Sequence, residues 1–482
     1  MRLGIILLAA LVCLGAACSG ADLEHQIDAL VDSNGAPGRG SIGIHVVDAA
    51  TGKTIYRRNE DKLLLPASSM KLFTAALALL RLGPEYRFTT RVTLENSGSL
   101  VLSGSGDPSI SGRVFPYQKG AAPGPRLQAI EDLADQTVAA GIHRVDGDIV
   151  GDDGLYPWAP YAPSWTQDDA LREFGAPVSA LTVSDNVVAL SIRPGSRPGE
   201  LAEVSVEPAL EYYAIDNRLV TVAHAAEANV RMSRPAGSRE LQLWGSIPVG
   251  HAAIEEETAI DDPALYAAEA LYDALVRRGV AITGRARAKH RSATNDYQRP
   301  EGTLVASRVS PPLDQLLQTM EKVSQNLYAE LILREVGLQT HHAGTREAGL
   351  DELASLLAEI GAPRDEARIE DGSGLSRNTL VAPRLMTRLL VYLQASRYRD
   401  TWISLLPVGG EDGTLQHRLC CVTEAGGIRA KTGSLSRALA LSGYADSKSR
   451  GRLAFAILVN NFSAPASEVR SWIDKIASTL LE

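Results

Sequence analysis

The sequence predicts an α+β protein in which an antiparallel sheet is flanked by helices and interrupted by a large β-rich insertion. Three observations predict it. A hairpin pattern near the start and a three-strand meander near the end can join in one sheet. Long apolar helical stretches lie between them, and residues 86–303 have a different texture, with short strand-like runs punctuated by Gly and Pro. The chain is 482 residues long, 45% hydrophobic and 22% charged, which is enough apolar content for more than one core and too little charge for a disordered chain.

The elements follow in order. Arg2, an apolar stretch and small residues up to position 20 have the build of a secretory leader rather than a membrane span, so residues 1–21 are expected to be removed on export. Gly15-Ala16-Ala17-Cys18 also resembles a lipoprotein processing site, which makes Cys18 a candidate for lipidation. Residues 41–47 (SIGIHVV) and 53–57 (KTIYR) flank a turn and predict a hairpin. From Ser68 the period becomes helical (SSMKLFTAALALLRLG) and stops at Gly83 before Pro84. That stretch is so apolar that it predicts a buried helix.

Residues 86–303 exceed any ordinary connection and are expected to form an insertion of two small β-rich domains. Strand-like runs lie at 91–94, 187–192 and 229–232, and 264–278 is its clearest helix. Helical patterning returns at 313–320, 326–336 and 383–394. Strands at 428–431, 438–444 and 452–459 form the meander, and a closing helix covers 466–480. Residues 22–85 and 304–482 would therefore make one discontinuous domain.

Composition excludes several functions. The formal charge is −9, and loss of Arg2 makes the mature chain more acidic still, so a nucleic-acid partner has no electrostatic footing. No other stretch is apolar for long enough to span a membrane in the mature chain. With Cys13 and Cys18 in the leader, only the adjacent Cys420 and Cys421 remain, which rules out a disulfide framework and leaves either two thiols or a vicinal bridge. There is no Gly-x-Ser-x-Gly elbow, no His-Glu-x-x-His helix and no glycine-rich phosphate loop, and His341-His342 reads as a surface pair. No cofactor or metal is expected.

Three short motifs can carry chemistry. In Pro66-Ala-Ser68-Ser-Met-Lys71, one helical turn puts the Ser68 hydroxyl and the Lys71 amine on one face. A serine needs a base before it can attack, and burial with the positive end of a helix dipole can keep a lysine uncharged for that role. The Ser68 N–H at the helix start can meet developing negative charge. Lys431-Thr432-Gly433, on a strand, can hold a substrate carboxylate through one charge and one hydroxyl, with Gly433 giving room for substrate backbone. Ser324-Gln-Asn326 sits at a break between helices, where Ser324 or Asn326 could equally serve as a cap. Each motif alone recurs by chance in a chain of this size.

Together and in this order they match the signature of the serine penicillin-recognising enzymes. The chain resembles the penicillin-binding proteins of the D-alanyl-D-alanine carboxypeptidase/endopeptidase type, which carry a large insert between their first and second motifs. Further matches are Gly104-Ser-Gly-Asp-Pro108, Gly175-Ala-Pro-Val-Ser-Ala-Leu181 with Asp185-Asn186, and Asn326-Leu-Tyr-Ala-Glu330. Asp371-Gly-Ser-Gly-Leu-Ser-Arg377, Leu406-Pro407, Asp412-Gly-Thr-Leu415 and Arg429-Ala-Lys-Thr-Gly-Ser434 complete the set.

The resemblance implies a β-lactamase/transpeptidase-like domain that acts in the periplasm or cell envelope on peptidoglycan stem peptides, with β-lactams as covalent inhibitors. It makes Ser68 the nucleophile, Lys71 its base, Ser324 and Asn326 the proton relay and orienting amide, and Lys431 catalytic. Thr432, Gly433 and Ser434 bind substrate, and the N–H groups of Ser68 and Ser434 form an oxyanion hole. A β-lactamase or esterase using the same Ser-Lys chemistry, or an idle wall-binding protein, would be the rival readings.

Overall fold

A computed structural model of the chain describes residues 18–33, 35, 37–224, 226–235, 237–420 and 426–482. The leader through residue 17 and Cys421 lie outside the described residues. The predicted hairpin and meander do join in one antiparallel sheet. Its strand order is Ile428–Leu435, Ala438–Ser447, Gly451–Asn460, Ser41–Asp48, Thr54–Arg58. The first and last parts of the chain meet at its centre, where Ser41 pairs with Asn460 and Asp48 with Leu453.

Two-residue alternation explains why the middle strands are apolar throughout. Ala454, Ala456 and Leu458 face one core with the helices Lys71–Arg81, Leu313–Lys322, Asn326–His341 and Pro383–Ala395. Leu453, Phe455, Ile457 and Val459 face the other, with Cys18–Asp32 and Ala466–Thr479. The helix Lys71–Arg81 is buried over nine consecutive residues, Lys71 to Leu79, in accord with its sequence.

The region between these parts carries its own core. A five-stranded mixed sheet has the order Ala286–Arg291, Ile149–Pro157, Leu100–Ser103, Thr89–Glu95, Gly302–Val309, and the helices Gln128–Ala139 and Pro263–Arg277 cover it. Thr89–Glu95 and Gly302–Val309 pair antiparallel, so the chain leaves and returns side by side. Two three-stranded sheets lie beyond, one of Ile254–Ala259, Val187–Arg193 and Glu203–Glu207, the other of Asn229–Ser233, Glu240–Pro248 and Ala214–Val222.

Polar contacts fasten this region over the sheet and helices that carry the three motifs. The buried Glu335 accepts the hydroxyls of Tyr86 and Tyr156, Trp165 Nε1 donates to Asp371 at 3.0 Å, and the Ser164 and Ser376 hydroxyls lie 2.7 Å apart. No helix among the described residues is long and apolar enough to cross a membrane.

Candidate active site

Ser68 does not open an α-helix. It lies in a 3₁₀ turn, Ala67–Met70, from which the α-helix begins at Lys71. The Lys71 N–H bonds back to the carbonyls of Ser68 and Ser69, which is the tighter geometry of that turn. Ala67 holds φ at +47°, a conformation that costs a non-glycine residue of order 1 kcal/mol and persists only where packing enforces it.

Two glycines supply that packing. A Cβ at Gly374 would fall 1.9 Å from the Ala67 carbonyl oxygen, and one at Gly433 would fall 2.3 Å from that of Pro66. Gly433 therefore makes room for the backbone of the turn that carries Ser68.

Lys71 has no exposed surface, and its Nζ lies 3.0 Å from Ser68 Oγ, 2.5 Å from Asn326 Oδ1 and 3.0 Å from the Ser373 carbonyl oxygen. Burial, and next the charge of Lys431, push this amine well below the usual lysine range. An uncharged amine has two N–H donors and one lone pair. The two fixed acceptors, Asn326 and Ser373, take the donors, and the lone pair is left for the Ser68 hydroxyl.

The two acceptors are themselves held. Asn326 Nδ2 donates to the Phe174 carbonyl at 2.7 Å, so the orientation of the amide is set by the inserted region. Ser373 sits in a loop fixed from both sides. Glu330 accepts the N–H groups of Gly372 and Ser373, each at 2.9 Å, while Asp371 accepts the N–H of Gly374 and Ser376, the Thr379 hydroxyl and Trp165 Nε1. Gln325, rather than Ser324 or Asn326, caps the helix Asn326–His341, and it frees those two side chains for the cleft.

Lys431 is also fully buried, and its Nζ donates to Ser324 Oγ at 2.8 Å and to the Thr432 carbonyl at 2.9 Å. Burial lowers it to about 8, against the pull of Glu321. The Thr432 hydroxyl bonds Thr414 at 2.9 Å, in the turn Gly413–Leu415. On the outer edge of this strand Ala430 N–H donates to Pro407, and the Ile428 carbonyl accepts from Gly409. By two-residue alternation the N–H groups of Thr432 and Ser434 turn to the same open edge. Ser434 is exposed there.

The structure thus brings Ser68, Lys71, Ser324, Asn326 and Lys431 into one cleft, with Thr432 and Ser434 along its strand edge. Sequence reasoning missed the two backbone acceptors, Ser373 and Phe174, and also Glu321 and Thr414. Only the Asp371-Gly-Ser-Gly and Asp412-Gly-Thr matches pointed towards two of them. Of the remaining candidates, His341 is paired with Glu352, Cys420 is exposed, and the side chain of Cys18 lies outside the description.

The chain is 34% identical over 463 residues to the D-alanyl-D-alanine carboxypeptidase of Actinomadura sp. (strain R39), covering 92% of this chain and 82% of that one. It is 24% identical over 439 residues to D-alanyl-D-alanine carboxypeptidase DacB of Haemophilus influenzae, covering 89% and 87%. The crystal structure of penicillin binding protein 4 (dacB) from Haemophilus influenzae has the same fold, with a TM-score of 0.79 at 22% identity over 96% of this chain and 98% of that one. The profile of one peptidase family matches residues 23–480, and the chain belongs to that family, the D-Ala-D-Ala carboxypeptidase 3 (S13) family.

Proposed function

We propose that the chain hydrolyses D-alanyl-D-alanine termini, and D-alanyl cross-links to a diamino acid, in peptidoglycan through an acyl-enzyme on Ser68. The observation that carries the reading is the Lys71 amine, fully buried, with its two protein acceptors placed so that its lone pair is left for Ser68 3.0 Å away. Lys71 takes the hydroxyl proton as Ser68 Oγ attacks the carbonyl of the penultimate D-Ala. The N–H groups of Ser68 and Ser434 receive the oxyanion, a role the edge-facing Ser434 N–H supports.

As the C–N bond breaks, the leaving amine collects a proton through Ser324, whose Oγ is already held by Lys431. Water then cleaves the ester and frees Ser68. Lys431 and Thr432 anchor the carboxylate of the leaving residue. A β-lactam carries an equivalent carboxylate and a strained amide, so it acylates the same serine.

The wall substrate and the leader-like segment place the chain outside the cytoplasm, in the periplasm or envelope. A lipid on Cys18 would tether the site to the membrane, and the intact mass of the exported chain distinguishes the two forms. Mass spectrometry after penicillin treatment tests the central reading. An adduct on the Ser68 peptide is expected, together with release of D-Ala from a pentapeptide and cleavage of cross-linked muropeptides. A folded chain with no adduct would overturn it, and rapid loss of the adduct with drug turnover would make it a β-lactamase.

A further inference from the structure

Glu321 lies one residue from the end of the helix Leu313–Lys322 and three residues before Ser324. It is fully buried, and neither carboxyl oxygen has a hydrogen-bond partner among the described residues. A buried carboxyl without partners is costly, which calls for a compensating role. The charges that face it are Lys431 and Lys71, both fully buried.

Asp371 and Glu330 also draw Lys71 towards its charged form, but each is held by donors of its own, Asp371 by the N–H groups of Gly374 and Ser376, the hydroxyls of Ser373 and Thr379 and Trp165 Nε1. The remaining charges on the surrounding elements are engaged elsewhere. Lys322 holds Asp412 at 2.6 Å, Arg81 holds Glu352 and Glu359, Glu330 holds Arg334 and the Gly372 and Ser373 N–H groups, Glu335 holds Tyr156, and Arg399 holds Asp400.

Two amines and one carboxyl therefore share a buried cluster. Among these three groups, two ammonium ions would leave one buried charge uncompensated, whereas one ammonium, one carboxylate and one uncharged amine sum to zero. We propose that Glu321 is a positioning residue of the acyl transfer: its carboxylate is the buried counter-charge that keeps Lys431 an ammonium ion while Lys71 stays uncharged. This inference rests on the acyl-enzyme reading above.

The direction of the effect follows from the surroundings. Burial pushes Glu321 up to about 7, against the pull of the two lysines, and Lys431 sits at about 8. Above about 7 the carboxylate stabilises the protonated form of Lys431. Replacing it with an uncharged group therefore moves Lys431 titration to lower pH. Below about 7 Glu321 itself carries a proton, so an uncharged replacement presents the same charge there.

The test is the pH profile of Ser68 acylation by a chromogenic β-lactam that bears a carboxylate, in the full chain and in Glu321→Gln. The alkaline limb should move down by about one pH unit or more, so the ratio of the rate at pH 9 to that at pH 7 falls roughly tenfold or further. The loss should appear as weaker saturation, because Lys431 anchors the drug's carboxylate, and the low-pH portions should run parallel. Glu321→Asp should keep the wild-type limb. Glu321→Leu removes no hydrogen bond, should reproduce the Gln profile, and serves if Gln does not fold. An unmoved alkaline limb in Gln or Leu overturns the proposal at any absolute rate. A wild-type chain that forms no Ser68 adduct overturns the acyl-enzyme reading, and this one with it.

Discussion

Changing Asn326 to Asp is the sharpest probe of the uncharged base, because it exchanges only the amide nitrogen for oxygen and puts a charge on the group whose Oδ1 lies 2.5 Å from Lys71 Nζ. The amide oxygen at that position accepts one amine hydrogen and carries no net charge. A carboxylate there would favour the ammonium form by roughly 7 kcal/mol, taking an effective dielectric constant of about 20 at this separation. That is an upper bound of about five pKa units, reduced by the cost of burying the new charge and by its conflict with the Phe174 carbonyl, 2.7 Å from the present amide nitrogen.

We expect the acid limb of Ser68 acylation by a β-lactam to rise by at least about two units, which at a fixed pH below the new limb is at least a hundredfold loss of rate. Asn326→Ala removes both hydrogen bonds and adds no charge, so its rate should fall by about tenfold to a hundredfold with no upward move of the limb. Stopped-flow acylation across pH separates the two. An acid limb that stays put or falls in Asn326→Asp refutes the idea that Lys71 acts as an uncharged amine.

Other consequences can be measured directly. Gly433→Ala places a methyl group 2.3 Å from the Pro66 carbonyl oxygen, so the Ser68 turn must shift; thermal melts should show a loss of about 1–3 kcal/mol and acylation should slow by more than tenfold. Asp371→Asn retains one acceptor oxygen where the carboxylate serves five donors, so stability should drop by about 1–3 kcal/mol, and acylation should drop with it as the Ser373 carbonyl moves. Trp165→Phe removes only one of those donors and should cost less in both assays. Burial holds His45 down to about 4, with Thr387 2.6 Å from its Nδ1. The unfolded chain therefore binds a proton between pH 6.5 and 4 that the folded chain refuses, and stability should fall by up to about 1.4 kcal/mol per unit over that window. Denaturant melts should show a shallower fall in His45→Gln, and an unchanged slope would refute the assignment.

How far this could be read from the sequence differs from residue to residue. The central sheet was legible because its strands alternate or run apolar between turn residues, and Ser68, Lys71, Asn326 and Lys431 could be singled out because three short motifs, each uninformative alone, occur together in the order a known family uses. The 3₁₀ turn at Ser68 was not legible. It depends on Ala67 adopting a positive φ, which Gly374 and Gly433 permit from distant parts of the chain. The carbonyls of Ser373 and Phe174 have no side-chain signature at all. Glu321 looks like any polar residue near a helix end until the fold closes over it.

Strand-rich texture also concealed the helix Gln128–Ala139, whose apolar face is only Ala129, Ile130, Leu133 and Ala134 with Thr137. The strand Gly302–Val309 crosses positions 303 and 304, where composition alone divides the chain, because nothing local distinguishes it from the stretch that follows.

The pairing of Ser41–Asp48 with Gly451–Asn460 has a consequence for biosynthesis. While a nascent polypeptide emerges, its early hairpin has one ladder bare, and the missing neighbour is about four hundred residues from being made. Such a molecule cannot reach its finished form during synthesis. It remains threadable until late, which suits an exported protein, and exposure of that bare ladder to other chains is the principal hazard of the interval.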